Sequence, residues 1–303
     1  MKRPLLSICI PTYNRSKYLK QCLYSIVSQM KDDDIKNSIE IVITDNASTD
    51  DTTKIVKEFQ DKFSNIHYFR NEKNLGFDRS FKKLIEKSTG IYCLSIGDDD
   101  AFFEDSIKLI INKIKNTNTP YFGLNCWGYD EKLESPVLTF PNINISKDVY
   151  YETLSDYIKS IREYTNLVGA FVGLSTQLFL RDPWVACNNK EKYFDTLAIH
   201  MYVLLTIYKD KPYEILALPV IKTRSSNIRW DVFAGLETIS GRIKSTITIV
   251  TWVRDIFELP ISNIKIYVYF YTREYWFTLK EIIKKWLTLL GLKKIIALYR
   301  KIR

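Results

Sequence analysis

Little in this sequence interrupts regular structure, since glycine supplies ten and proline nine of its 303 residues. With 46% apolar and 26% charged residues, that composition excludes disorder as the main state. It suits one large domain or two modest ones. Cysteine is also sparse: Cys9, Cys22, Cys93, Cys126 and Cys187 are odd in number and form no C-x-x-C pair. A disulfide framework is therefore not expected, and the thiols read as reduced core residues of a cytosolic protein. A chain this long needs no staples, because it can bury roughly three quarters of its unfolded surface. No uninterrupted apolar run reaches the ~18 residues of a spanning helix. Met1-Lys2-Arg3 leads into Pro4 and only six apolar residues, which does not read as a signal peptide. Histidine is scarcest of all, and His67 and His200 lack the spacing of metal ligands, so both read as structural. Neither a P-loop nor a strand-linked G-x-G-x-x-G occurs, which removes the common nucleotide cradles.

What is present alternates. Apolar runs at Leu5 to Ile10, Ile39 to Thr44, Ile66 to Phe69 and Ile91 to Ile96 have the length and β-branching of strands buried on both faces. Between them, helical spacing links Tyr18, Leu19, Cys22, Ile26 and Val27, then Ile55, Val56 and Phe59, then Phe77, Phe81, Leu84 and Ile85. Asn14 or Ser16 could cap the first of these helices. Four strand-then-helix units in the first 115 residues predict an α/β fold with a doubly wound, mostly parallel sheet. Ligands of such sheets bind beyond the carboxyl ends of the strands, where the polar clusters of this sequence fall.

Those clusters admit two readings each. Asp98-Asp99-Asp100 follows the fourth strand, and three adjacent carboxylates repel unless a cation compensates. A hard divalent ion shared with substrate phosphates would do so, but a solvated helix N-terminus also accepts aspartates. Asp45 either accepts a charge-assisted hydrogen bond from a pyrimidine base or closes an Asx-type turn.

The order of motifs resembles the family 2 glycosyltransferases. It runs through Ser7-Ile8-Cys9-Ile10-Pro11-Thr12-Tyr13-Asn14-Arg15, Glu40-Ile41-Val42-Ile43-Thr44-Asp45-Asn46-Ala47-Ser48-Thr49-Asp50, Asn74-Leu75-Gly76 and Gly97-Asp98-Asp99-Asp100. Within the family the chain is most similar to O-antigen sugar transferases of the abequosyltransferase type, and the likeness covers residues 4 to 115. The resemblance implies a GT-A fold, a Mg²⁺ or Mn²⁺ ion, and inverting transfer of a sugar from a nucleotide-diphosphate donor, UDP or CDP, to an acceptor hydroxyl. Carried over by position, Pro11, Thr12, Tyr13 and Asp45 would line base and ribose. Asn74, Gly76 and Arg79 would approach the diphosphate, though Arg79 also suits an exposed helix cation. Family members commonly read Asp-x-Asp-Asp, and here Gly97 takes the first position. That leaves Asp99, with Asp100, as metal ligands and Asp98 facing ribose or the metal's waters.

The family's base is a carboxylate near the start of a second-half helix. Asp195, ahead of an apolar helix from Thr196 to Tyr208, matches best, with Glu191 in reserve. A helix cap is the competing role for Asp195. Gly169 to Leu180 reads as a strand on the acceptor side, and Arg224 to Trp230 as a loop whose Arg224 or Arg229 could meet the diphosphate while Trp230 stacks on the acceptor sugar.

Charge placement completes the organisation. Of the net +9, residues 280–303 carry +7, from eight Lys or Arg and one Glu. Their apolar positions, Ile282, Ile283, Trp286, Leu287 and Leu290 and then Leu292, Ile295, Ile296 and Tyr299, recur at helical spacing, the pattern of a helix lying on an anionic membrane. A transferase domain over 1–225, with a donor half 1–115 and an acceptor half 116–225, is thus expected before a helical, basic extension at 226–303. Such a protein would be cytoplasmic and peripheral on the inner face of the cell membrane. It would act on a glycan or polyprenyl-diphosphate-linked acceptor, bind no nucleic acid, and could form a homo-oligomer. A non-catalytic nucleotide or nucleic-acid binder is the alternative.

Overall fold

The computed structural model of the chain describes residues 3–137, 143–161, 171, 173–224 and 251–258. The chain divides into two compact units, 1–228 and 229–303. In the second unit the description covers a helix at 251–257. Gly169, Arg229, Trp230 and the basic segment 280–303 lie outside the described residues. Among the described residues no helix is long and apolar enough to cross a membrane.

The first unit is built on one nine-stranded sheet. β1 (Leu6–Thr12), β2 (Ile39–Asp45), β3 (Ile66–Arg70) and β4 (Tyr92–Ser95) pair in parallel in the order β3-β2-β1-β4. Each is followed by a helix or turn, as the alternation predicts: α1 (Ser16–Val27), α2 (Asp33–Ser38), α3 (Thr52–Gln60) and α4 (Phe77–Lys87). The sheet then continues β4-β8-β6-β9-β5, with β7 also on β9. These strands are β5 (Ala101–Phe102), β6 (Tyr121–Tyr129), β7 (Val149–Tyr151), β8 (Gln177–Leu180) and β9 (Tyr213–Arg224). β6 and β9 run parallel, while the pairings of β8 with β4 and β6, and of β9 with β5 and β7, are antiparallel. The sheet is therefore parallel in its first half and mixed in its second. Further described helices of the first unit are α5 (Ser106–Lys115), α6 (Leu154–Ser160), α7 (Arg181–Ala186) and α8 (Ile199–Tyr208).

Both faces are covered, which is why the strands read as unbroken apolar runs. On one face Leu6, Ile8 and Ile10 of β1 and Ile41 and Ile43 of β2 pack with Leu19, Cys22, Leu23 and Ile26 of α1 and with Ile107, Ile110 and Ile111 of α5. Each such buried side chain contributes about 1.5–3 kcal/mol. On the other face Phe81 of α4 meets Trp184 of α7 and His200 of α8 edge-on. Farther along the sheet, Tyr121 stacks on Tyr208, and Tyr157 on Tyr213, whose hydroxyl occupies the space a side chain at Gly123 would need. Cys9, Cys22, Cys93 and Cys126 are free and buried, as read from the sequence. Of the strand expected over Gly169 to Leu180, the described residues show β8, preceded by a 3-10 turn at Leu174–Thr176.

At the amino-terminal edge of the strands, buried Glu40 accepts from Ser7 Oγ, Thr89 N, Thr89 Oγ1 and Gly90 N. A Cβ at Gly90 would come within 2.6 Å of the Ser7 backbone nitrogen, so only glycine fits this close approach. This cluster ties three strand starts together and leaves the opposite edge to the site.

Candidate active site

The four β-to-α connections of the parallel half gather at the carboxyl edge, and short polar side chains staple them. Asn14 sits at φ +52 just past β1. Its backbone N–H donates to Ser48 Oγ at 2.8 Å, and its Oδ1 accepts from Thr49 N at 2.7 Å. Neither Asn14 nor Ser16 caps α1, contrary to the sequence expectation. Asp50 does so from the next connection, accepting from Ser16 N at 2.9 Å while also holding Thr52 N and Oγ1 at the start of α3. Burial opposes the charge on Asp50, but these donors outweigh it and lower its pKa.

Asp45 takes the turn-closing role that the sequence left open. Its Oδ1 accepts from Ser48 N at 2.8 Å and its Oδ2 from Tyr68 Oη at 2.5 Å, with Arg70 Nε at 3.7 Å. The carboxylate is wholly buried and presents no free edge to a base in this conformation. Pro11 and Tyr13, both half-buried, lie beside it at the end of β1. Asn74 is likewise engaged, accepting from Asn46 Nδ2 at 2.7 Å and from Gly76 N at 2.9 Å. Gly76 precedes α4 at φ +78 with nothing close to it, so backbone conformation, not space, selects glycine there.

The acidic triplet lies just beyond β4. Asp98 is buried and accepts from Thr12 Oγ1 at 2.7 Å and from Arg15 Nη1 at 3.2 Å. The same Arg15 nitrogen donates to Asp99 Oδ2 at 2.7 Å. Asp100 accepts from Ser175 Oγ and from the backbone N–H of Arg224 at 3.0 Å. Burial pushes the Asp98 and Asp100 carboxyls up to about 7, with Asp99 adding to both shifts and Arg15 opposing the one at Asp98. A Cβ at Gly97 would fall 2.9 Å from Asp99 Oδ1 and 3.3 Å from Asp100 Oδ2. The departure from Asp-x-Asp-Asp therefore has a steric cause: the triplet folds back over residue 97.

These residues fit a hard cation. They supply oxygen donors only, with Asp98 buried and Asp99 and Asp100 half-buried beside it. Among the described residues no three His, Cys, Asp or Glu side chains converge as a metal site. An ion on Asp99 and Asp100 would complete its sphere with water and a diphosphate.

The second half contributes two charged groups at this edge. Arg79, in the first turn of α4, forms a two-pronged pair with Asp195, at 2.6 Å to Oδ1 and 3.2 Å to Oδ2, and lies 4.6 Å from the centre of the Phe194 ring. Its guanidinium lowers the pKa of the exposed Asp195 carboxyl. Asp195 stands at φ +64 and does not cap the helix behind it. Asp78 does, from α4: its buried carboxylate accepts from Thr196 N and Leu197 N at 2.9 Å each and from Ile199 N at 3.1 Å. The expected helix start at Thr196 thus moves to Ile199, because a side chain from another element satisfies the preceding N–H groups. Glu191, the reserve, pairs with Lys82 at 3.5 Å.

Arg224 ends β9 in strand conformation, where the sequence suggested a loop. Its Nε donates to Asp99 O at 3.0 Å, its Nη2 to Gln21 Oε1 at 2.7 Å, and the guanidinium lies 4.8 Å from the centre of the Tyr18 ring. Nη1 is buried with no hydrogen-bond partner among the described residues. The structure thus brings Thr12, Asp98, Asp99 and Asp100 together and joins Arg79 to Asp195. The sequence reading gave no role to Arg15, which lies inside the first motif, nor to Ser175, which has no local signature.

Comparison with known proteins accords with this geometry. The profile of "Glycosyl transferase family 2" matches residues 7–167. Abequosyltransferase RfbV of Salmonella typhimurium is 30% identical over 207 residues, covering 67% of this chain and 61% of that protein. The GalNAc(5)-diNAcBac-PP-undecaprenol beta-1,3-glucosyltransferase of Campylobacter jejuni is 29% identical over 124 residues, 41% of this chain and 38% of that one. The chain thus spans less than two thirds of either relative. Among solved structures, S. aureus TarS 1-349 in complex with UDP-GlcNAc superposes with a TM-score of 0.60 at 16% identity, covering 90% of this chain and 73% of that one. The Pyrobaculum calidifontis mannosyltransferase PcManGT, in complex with GDP-Man and Mn²⁺, gives a TM-score of 0.51 at 12% identity, over 82% and 64% of the two chains. These likenesses show a GT-A fold.

Proposed function

We propose, from the premise that this chain belongs to glycosyl transferase family 2, that it moves one sugar from a nucleoside diphosphate, UDP or CDP, to a hydroxyl of a lipid-linked or surface-polysaccharide acceptor. That it is a glycosyltransferase follows from the family and displaces the non-catalytic binder. The observation that carries the finer reading is the carboxyl triplet Asp98-Asp99-Asp100, which Arg15, Thr12 and Ser175 hold at the carboxyl edge of the sheet. In this reading Asp99 and Asp100 would hold Mg²⁺ or Mn²⁺, and the ion when bound would supply positive charge to a diphosphate. Tyr13 and Pro11 border the base, while Asp45 and Asn74 fix the loops around base and diphosphate. Gly76 gives phosphate oxygens backbone access, and Arg79 supplies a cation.

Asp195 is the base of this proposal. When Arg79 turns to the donor diphosphate, the Asp195 carboxylate is freed to accept the acceptor's hydroxyl proton. The acceptor oxygen then bonds to the anomeric carbon from the side opposite the diphosphate. The carbon–oxygen bond to the diphosphate breaks, its electron pair stays on the leaving phosphate, and configuration inverts. Expected outcomes are loss of donor turnover in Asp99→Ala, and retained UDP binding with transfer reduced by about 10²–10⁴ in Asp195→Asn. Transfer at the normal rate in the Asp195 variant would show that another group is the base. Docking of 280–303 on an anionic leaflet belongs to the same proposal, and flotation with phosphatidylglycerol vesicles tests it.

A further inference from the structure

Beyond the triplet, where the chain reaches β5, half-buried aromatic rings surround a lysine. Phe103 and Trp127 each meet Tyr129 edge-on, with centroids 5.6 and 6.4 Å away. The Lys222 ammonium lies 5.2 Å from the Phe103 ring centre and 4.9 Å from that of Tyr129. Among the described residues it makes no ion pair or hydrogen bond, so three N–H donors stay available in an aromatic setting. Register ties this cluster to the triplet: Lys222 pairs across the sheet with Ala101, the residue after Asp100, and with Trp127. The chain from Asp98 to Ala101 runs from β4 to the far edge strand β5. Arg15 and Thr12 therefore flank its β1 side and the aromatic cluster its β9 side.

Ring faces bind the C–H face of a pyranose by dispersion and exclude water around it. A lysine ammonium on the same surface selects a point anion. We infer that Phe103, Trp127, Tyr129 and Lys222 form the acceptor subsite, and that the acceptor sugar carries a phosphate close to the ring that stacks there. This rests on the glycosyl-transfer reading above and adds to it the class of acceptor and its place.

The test is calorimetric titration of the full chain, pre-saturated with UDP and Mn²⁺, with N-acetylglucosamine 1-phosphate and with the uncharged methyl glycoside of the same sugar. The phosphate should bind about tenfold tighter, as expected of one charge-assisted contact. Lys222→Gln should abolish that preference, and Trp127→Ala should weaken both probes, with both variants melting like the parent. An undiminished preference in Lys222→Gln overturns the inference, as does absence of binding to the UDP-loaded chain. Competition between UDP and the sugar phosphate also overturns it, by assigning that anion to the donor side. If UDP itself fails to bind, the donor reading falls, and the same titrations without nucleotide still decide the acceptor subsite.

Discussion

Replacing Asp78 separates the packing of this fold from its chemistry. The carboxylate is buried, and its three N–H partners differ in exposure: Thr196 is exposed, Leu197 half-buried and Ile199 wholly buried. In Asp78→Ala water can reach the first two donors, whereas the Ile199 N–H is orphaned at a cost of about 1–3 kcal/mol. Loss of the helix cap adds about 1 kcal/mol, for a total near 3 kcal/mol. Asp78→Asn can turn its carbonyl to Ile199 and should cost about half as much. For a unit of this size that is roughly 6–10 °C in Tm for alanine and 3–5 °C for asparagine. Thermal melts and urea titrations measure it. Because Asp195 sits one residue before the first capped N–H, both variants should also lose transfer rate at 20 °C, where they remain folded. Equal melting of Asp78→Asn and the parent would refute the capping argument, and a normal rate in a destabilised variant would refute the link to Asp195.

Gly97→Ala should leave the melt within about 1 kcal/mol, yet weaken Mn²⁺-dependent UDP binding, because its Cβ enters the space of Asp99 and Asp100. Unchanged calorimetric affinity would deny that space to the ligand. Burial, with the hydrogen bond to Asp45, pushes the Tyr68 hydroxyl up to about 12. A raised pKa stabilises fully below the unfolded value near 10 and is lost as pH rises through 12, so the parent should lose stability from pH 10 upward. Tyr68→Phe should reduce that alkaline loss by the Tyr68 share, leaving that of Tyr157 and Tyr202, and be about 1 kcal/mol less stable at pH 7 by urea titration. Arg79 holds the Asp195 pKa down in the donor-free chain, so Arg79→Met should move the acid limb of donor kcat/KM to higher pH. An unmoved limb would remove Asp195 from the base role.

The parallel half was legible because a strand covered on both faces must be apolar throughout: runs such as Ile8 to Ile10 and Ile41 to Ile43 are read so where polar segments such as Thr12 to Arg15 and Asp45 to Asp51 follow them. The acidic triplet was legible for an electrostatic reason, since its self-repulsion demands a partner wherever it folds. What the sequence hid was supplied from a distance. Asp50 and Asp78 cap helices that begin elsewhere, and nothing near Ser16 or Ile199 announces it. Gly97 looked like a lost ligand until the return of Asp99 over it was visible. Arg224 stands 124 residues from Asp100, to which it donates, and β8 is inserted between β4 and β6 by antiparallel pairings that leave no periodic trace.

That insertion of β8 limits how relatives of this chain can be recombined. A chimera joined near residue 115 would take β1 to β5 from one parent and β8 from the other. The seam would then run down the middle of the sheet, through Cys93 against Phe179 and Leu94 against Leu178. Every side chain along it but the half-buried Leu180 is buried, so the two parents would have to agree in volume at each position. Exchanges confined to the carboxyl-edge loops avoid the seam, and specificity in this lineage should be transplantable there while half-swaps aggregate.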